Sequence, residues 1–306
     1  MASQETSTNV TAQGSSSVER TTHRRSFDLL RKVLRARLAP AALGVLLALI
    51  LCAVFAEVLA PYHPITDQSY SSANEGPSAA HWFGTDYLGR DTLSRLIFGA
   101  RISLMVAALA VSIGLVCGVT IGVIGGFYGG KVDMLLMRCT DAIWTFPALM
   151  LALAITSALG RGVNNAIIAI GIVNIPYFAR LARASTLTAR EMDFVTAARA
   201  LGAPAARTIF WHILPNIAAP IIVQGSLAFG VAITTEASLS FLGVGVQAPT
   251  PSWGIELRSG YQYMELNPST AIFPGLAIFL TVLSFNFLGD GLRSALDPRL
   301  SRRGEG

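Results

Sequence analysis

Six apolar stretches divide this chain, and they constrain its fold more than any other feature. Each stretch reaches, alone or with its flanks, the roughly 20 residues that a helix needs to cross a bilayer. Charged residues make up only 13% of the 306 residues, against roughly 25% in an average soluble protein. Lipid offers no backbone hydrogen bonds and no ten-residue alternation suggests a barrel, so we predict an all-α polytopic membrane protein. The six predicted spans are Leu38–Ala60, Ile102–Phe127, Ala142–Leu159, Asn164–Ala179, Ile217–Thr235 and Thr270–Gly289.

The distribution of arginine and lysine predicts the topology. With the N-terminus inside, 18 of the 23 basic residues fall on the cytoplasmic side, in agreement with the positive-inside rule. Both termini are therefore predicted to be cytoplasmic. This arrangement gives a disordered tail, a basic interfacial helix joined to the first span, an extracytoplasmic segment, a five-span domain and a second cytoplasmic tail. Their bounds are 1–25, 26–60, 61–101, 102–292 and 293–306.

A polar segment, DFVTAARALGAPAARTIFWHILPN, separates the fourth and fifth spans on the predicted cytoplasmic side. Four apolar residues at i, i+3, i+4 and i+7 predict a short helix with one apolar stripe. They are Phe194, Ala197, Ala198 and Leu201. Gly202 is expected to stop this helix, and Pro204 to begin a second helix that ends before Pro215. Because nothing else in the segment can bury the stripe, we predict a docking element at the membrane surface.

The spacing of this segment resembles the EAA loop of ABC-transporter membrane subunits: two alanines, three residues, a glycine and a later Leu-Pro pair. Thr196 stands in place of the usual glutamate, and His212 where isoleucine is common. The resemblance implies that 191–216 lies in a groove of a cytoplasmic ATPase and couples it to the spans. The alternative is an ordinary amphipathic loop on the membrane surface. The coupling residues that the resemblance implicates are Asp193, Phe194, Ala197, Ala198, Arg199, Leu201, Gly202, His212, Leu214 and Pro215.

Four more strings resemble the dipeptide/oligopeptide and nickel branch of these permeases. FGTDYLGRD, within His81–Leu104, resembles the FGTDxLGRD signature, although alone it also fits a solvated loop whose ion pairs contribute at most about 1 kcal/mol each. The others are GGFYGGKVD (Gly125–Asp133), EASLSFLGVGVQAPTPSWG (Glu236–Gly254) and NFLGDGLRSALDPRL (Asn286–Leu300). Together with the EAA-type loop they cover most of the chain after Pro61. The chain is thus similar to the C-type permease subunit of a peptide-family ABC importer.

This resemblance implies a type I ABC importer permease fold in a bacterial inner membrane. It also implies a second homologous permease in a heterodimer, two cytoplasmic ATPase subunits and an extracytoplasmic substrate-binding protein. Di- or oligopeptides are the leading substrates, with nickel chelates, glutathione and sugars as alternatives. The implied mechanism is alternating access driven by ATP. This chain is expected to bind no cofactor, because ATP and Mg²⁺ belong to the partner ATPases.

The sequence lacks the motifs of several classes of enzyme. The sequence contains no G-x-x-x-x-G-K-[ST] phosphate loop and no H-E-x-x-H or G-x-S-x-G string, so we predict a non-catalytic subunit. A membrane-embedded hydrolase is the alternative from another class, but Ser238 and Ser284 have no histidine within the predicted spans as a base. The net charge of +5 is accounted for by topology, which leaves no argument for a nucleic-acid partner. The four histidines have no metal-ligand spacing.

The sequence leaves open the roles of two carboxylates and of one ridge of glycines. A carboxylate at the bilayer centre costs about 2.5–3.5 kcal/mol on insertion scales. Asp141 and Glu236 are therefore candidates for lining the translocation pathway, unless both stay hydrated near an interface. Gly114, Gly118 and Gly122 recur every four residues along the second span, which predicts close helix packing in lipid. The sequence does not say whether the ridge faces this chain or a partner permease.

Overall fold

The computed structural model describes residues 38–296, and within that range it contains helices and loops but no β-strand. The predicted N-terminal tail, most of the predicted interfacial helix and the tail from residue 297 onward lie outside the described residues. The helices are α1 (Ala39–Val54), α2 (Ala56–Leu59), α3 (Thr92–Tyr128), α4 (Gly130–Trp144), α5 (Ala148–Leu159), α6 (Val163–Arg190), α7 (Asp193–Ala200), α8 (Ala205–Phe241), α9 (Trp253–Gln262) and α10 (Ser269–Leu296).

The predicted spans correspond to six apolar helical segments of different length. Four helices, α3, α6, α8 and α10, are long and apolar enough to cross a membrane, and the bent pair α4–α5 passes the same test as one unit. The first segment is shorter, because α1 has 16 residues and continues into α2 only after a break at Phe55. The all-helical polytopic fold class is confirmed.

The predicted start of the third span at Ala142 is wrong. Residues 142–144 belong to α4, and the axes of α4 and α5 form an angle of 88°. Pro147 lies at the junction and precedes the first residue of α5. Proline has no N–H for the helical ladder and disfavours helical geometry at the residue before it, so the chain turns here. The apolar helix of this span therefore begins at Ala148.

The glycine ridge of α3 packs against α6 of the same chain. A Cβ added at Gly114, Gly118 or Gly122 would lie 2.6, 2.6 or 2.3 Å from an atom of α6. In return, a Cβ at Gly171 of α6 would lie 2.9 Å from the Ile113 side chain of α3. The question left open by the sequence is thus answered, because the ridge marks a contact within this chain. In lipid, such close backbone approach provides the van der Waals contact that holds helices together.

Buried charges anchor the segment that is predicted to be extracytoplasmic. Arg95 donates from Nε and Nη2 to the two carboxylate oxygens of Glu256, at 2.9 and 2.7 Å, and its Nη1 donates to the Pro64 carbonyl at 2.6 Å. Asp86 forms an equally buried ion pair with Arg90 at 2.7 Å. The Arg95 side chain is only 1% exposed. The interpretation of this string as a solvated loop is therefore wrong, since its charges lie inside a packed cap. Residues 61–91, the start of α3 and α9 form this cap, which is named the external cap after its predicted side of the membrane.

Candidate coupling site

The segment between α6 and α8 forms the predicted short helix, α7, and most of its apolar stripe faces outward. Phe194 is 39% and Leu201 89% exposed, Ala197 is exposed and Ala198 is half-buried. Val195, outside the stripe, is the fully buried residue of α7, and sequence periodicity did not single it out. Within residues 38–296, one side of α7 therefore packs against the rest of the chain, and its apolar stripe remains largely exposed.

The end of α7 has the geometry predicted for Gly202. Gly202 has φ +79°, its N–H donates to the carbonyl of Arg199 at 2.9 Å, and the Ala203 N–H donates to the carbonyl of Ala198 at 3.0 Å. This pair of hydrogen bonds is a Schellman motif, in which a left-handed residue ends the helix. A Cβ at Gly202 would meet no atom within 4 Å. The requirement for glycine is thus conformational rather than steric.

Contacts to the C-terminal end of α3 fix the position of α7. The Arg199 guanidinium lies 4.6 Å from the centroid of the Phe127 ring, a cation–π distance. Just before α7, Arg190 Nη1 donates to the Gly126 carbonyl of α3 at 3.0 Å. Arg199 therefore packs against its own chain, and Phe127 is a contact residue that the sequence argument missed.

The second half of the segment differs from the prediction. The expected second helix does not end before Pro215, because α8 continues from Ala205 to Phe241. Residues Thr208–Ile213 form a π-helical turn directly before Leu214 and Pro215, which lie in the first turn of the regular α-helix that follows. A π-turn shifts the hydrogen-bond register, so a proline that lacks an N–H is accommodated without ending the helix. The site therefore connects to the fifth span without a break.

Aromatic side chains on the π-turn extend the exposed surface beside α7. Trp211 is 76% and Phe210 65% exposed, and neither was among the predicted site residues. His212 is half-buried, with its ring centroid 6.5 Å from that of Phe194. A cavity of about 310 Å³ lies between this turn and the inner half of α3, and Val123, Tyr128 and Phe210 are among its lining residues. An apolar surface thus continues from the stripe of α7 onto α8.

Asp141 lies in an open polar cavity between α4 and α6. It accepts a hydrogen bond from Arg180 Nη2 at 2.9 Å, and about half of its side chain is exposed. Asp133, in the glycine-rich string, forms a two-point ion pair with Arg183 in the same cavity, whose volume is about 430 Å³. Arg138 also lines the cavity. These charges surround a water-accessible space, as the pathway hypothesis for Asp141 requires.

Glu236 lies in a different environment. Its side chain is fully buried, one oxygen accepts from Ser103 Oγ at 2.9 Å, and the other accepts from Ser240 Oγ at 2.8 Å. Ser103 Oγ in turn accepts from the Trp253 amide at 3.2 Å. In this conformation Glu236 therefore joins α8 to α3 and α9 and faces no open path. Its burial argues against the predicted pathway role.

Comparison with known protein families identifies the family of this chain. Residues 118–302 match the family described as the binding-protein-dependent transport system inner membrane component. The chain belongs to this family. Residues 27–77 also match the N-terminal transmembrane domain of oligopeptide transport permease C. The first match includes α7, the π-turn and the spans on either side of them, so the permease carries its candidate coupling site within the shared domain.

Relatives of similar length support the assignment. The permease is 47% identical over 282 residues to the dipeptide transport system permease protein DppC of Alkalihalophilus pseudofirmus, with 90% of each chain covered. It is 46% identical over 273 residues to the glutathione transport system permease protein GsiD of Pectobacterium atrosepticum, covering 89% of this chain and 91% of the relative. The corresponding protein of Escherichia coli O157:H7 is 45% identical over the same length.

A solved structure of the MetNI methionine ABC transporter shares the fold. The match covers 67% of this chain and 97% of the other at a TM-score of 0.54 and 19% identity, so the likeness concerns architecture alone. The fold is that of a type I importer permease. As a member of this family, the protein is a non-catalytic, multi-span permease subunit of an inner-membrane transport system. It works with ATPase and substrate-binding protein subunits.

Proposed function

We propose that the permease translocates short peptides through a pore formed with a second, homologous permease. The names of its relatives support this substrate class, because they specify dipeptide and glutathione transport. Both substrates are small peptides, so they favour a peptide over nickel or a sugar. Substrate selection is assigned largely to the extracytoplasmic binding protein. Two ATPases with bound ATP and Mg²⁺ drive the cycle from the cytoplasm.

The ATPase contact is assigned to the outward stripe of α7. This proposal rests on the different burial of the two sides of α7. Val195 is buried against the chain, while Phe194, Ala197 and Leu201 are exposed. Small exposed side chains such as Ala197 allow a partner to approach closely. The adjacent Trp211 is 76% exposed and adds the kind of aromatic anchor that dominates interface energetics.

The proposed orientation of the permease is supported by the same geometry and by the distribution of charge. The external cap contacts the first turns of α3, whereas α7 contacts its last turn, and a 37-residue helix is roughly 55 Å long. Ala39 and Ala295 pack together, so the two ends of the described chain lie on the same side. With the positive-inside rule, these observations favour cytoplasmic termini and a cytoplasmic α7. The domain limits at 61–101, 102–292 and 191–216 are proposed on this basis.

The proposed mechanism is alternating access. ATP-driven closure of the ATPases moves α7, and the continuous helix α8 transmits this movement to the fifth span through the π-turn. Nucleotide can shift the equilibrium between inward- and outward-facing states only if the ATPases bind α7 differently in the two states. The cation–π contact of Arg199 with Phe127 keeps α7 attached to α3 during this movement, and the buried Val195 side chain keeps it packed on the rest of the chain.

Two glutamate substitutions on neighbouring residues test the docking face. We expect Ala197→Glu to release the ATPases during purification, because an unpaired charge in a desolvated contact costs several kcal/mol. Thr196→Glu is the matched control, since Thr196 is also exposed and related EAA loops carry glutamate there. Arg199→Ala should retain the ATPases at moderate salt, since Arg199 packs on Phe127. Retention with Ala197→Glu and loss with Arg199→Ala would show that the docking face is the opposite one.

A further inference from the structure

A small cavity lies in the external cap, apart from the coupling site. Its volume is about 10 Å³, and its walls include Asn74, Asp86, Thr92 and Glu256. Among the described residues, three buried side-chain atoms have no hydrogen-bond partner, and two of them, Asn74 Oδ1 and Thr92 Oγ1, belong to these walls. Thr92 itself is 2% exposed. Unpartnered buried polar atoms are costly and uncommon, so their occurrence at one cavity calls for a ligand.

We propose that this cavity binds one structural water molecule, which links Asn74 to Thr92. The volume is close to the 10–15 Å³ or so that a single water needs. The amide oxygen of Asn74 can only accept a hydrogen bond, whereas the hydroxyl of Thr92 can donate one. A ligand that donates to the first and accepts from the second satisfies both atoms. Water has this chemistry and this size.

The charges around the cavity exclude a metal cation as the preferred ligand. Both carboxylates in the walls are already neutralised: Glu256 binds Arg95 through both of its oxygens, and Asp86 binds Arg90. The two acidic and two basic groups therefore cancel in charge. A cation would lie close to two guanidinium groups with no unpaired carboxylate to offset the repulsion. A neutral ligand avoids this cost.

The water would join two parts of the cap that are distant in sequence, beside a third part that contributes a wall of the cavity. Asn74 lies on the extracytoplasmic segment in a left-handed conformation with φ 58°, Thr92 begins α3, and Glu256 belongs to α9. Asp91, not Thr92, provides the N-cap of α3 by accepting from the Ser94 amide. The Thr92 hydroxyl is thus not needed to start the helix, which leaves it available to hold the water.

The proposal is tested by whether a substitution at Thr92 lowers or raises the melting temperature of the complete transporter. If Thr92 binds water, Thr92→Val removes a satisfied hydrogen bond, and we expect the melting temperature to fall by about 2–4 °C. The matched control is Thr186→Val, because Thr186 Oγ1 is the third unpartnered atom, while the Cβ and methyl group of Thr186 lie close to Gly126 of α3. Thr186→Val should leave the melting temperature unchanged or raise it. Thr92→Ser retains the hydroxyl and should recover most of the loss.

Two outcomes would overturn the proposal. One is a Thr92→Val transporter as stable as the wild type or more stable, which would mean that the hydroxyl is truly unpaired. The other is a melting temperature that rises with added Na⁺ or Ca²⁺ and falls with chelator, accompanied by loss of this response in Asn74→Ala, which would identify a cation site. A cryo-EM map that resolves ordered solvent should show one peak between Asn74 and Thr92.

Discussion

Glu256→Gln should destabilise the permease by about 3–5 kcal/mol, the cost typical of breaking a buried ion pair. Glutamine preserves the shape of the side chain but removes the main counter-charge of the Arg95 guanidinium, which is 1% exposed. The remaining carboxylate, Asp86, lies 3.7 Å from Arg95 Nε and is already paired with Arg90. The pair joins α3 to α9 across 161 positions of sequence, so its loss loosens the external cap. Thermal unfolding of the detergent-purified transporter measures the effect as a large fall in melting temperature.

An exposed ion pair in the same chain provides the control. Glu57 and Arg101 pair at 3.1 Å, but Glu57 is 75% exposed, and exposed pairs contribute at most about 1 kcal/mol. Glu57→Gln should therefore have little effect. Replacing both partners of the buried pair, as Arg95→Met with Glu256→Leu, should recover most of the stability, because no unpaired charge remains. A similar loss from Glu57→Gln and Glu256→Gln would contradict the assigned role of burial.

Gly122→Val should also destabilise the permease strongly, by about 3 kcal/mol, near the upper end for overpacking. A Cβ at this position would lie 2.3 Å from the carbonyl oxygen of Ala179 and 2.8 Å from the Cβ of Ala182. Backbone atoms cannot rotate away as a flexible side chain can, so α3 and α6 must separate. The yield and melting temperature of the purified permease report the loss.

A glycine with open space around it serves as the matched control. A Cβ at Gly44 of α1 would meet no atom within 4 Å, and valine is compatible with a helix. Gly44→Val should therefore leave the stability of the permease close to that of wild type. If Gly122→Val were as stable as Gly44→Val, the close approach of α3 and α6 would be wrong.

The helical architecture could be predicted because lipid limits the possible structures. Composition and the length of the apolar stretches are enough to indicate spanning helices, and the asymmetry of basic residues adds a prediction of their direction. The sequence did not reveal the turn at Pro147, because the apolar run from Ala142 to Leu159 continues across this proline and only the angle between α4 and α5 divides it. The sequence also did not reveal that α8 continues through Pro215. A proline normally marks the end of a helix, and here a π-turn accommodates it.

The geometry of the candidate coupling segment was predictable where it is local. The stripe of α7 and the left-handed Gly202 depend on residues within one or two turns, and the spacing contains that information. The contact between Arg199 and Phe127 and the ion pair between Arg95 and Glu256 join residues far apart in sequence. No periodicity reports such pairs, and a single sequence offers no other signal for them. The same limit explains why Glu236 was predicted beside a pathway and is instead buried among helices.

Site-specific photo-cross-linking from Leu201 tests the central claim most directly. A photoreactive amino acid at Leu201, which is 89% exposed on α7, should form an adduct with the ATPase in the assembled transporter. The matched position is Tyr261, which is 65% exposed on α9 in the external cap, and it should form no adduct with the ATPase. ATPase adducts at Tyr261 and none at Leu201 would contradict both the orientation and the assigned coupling site.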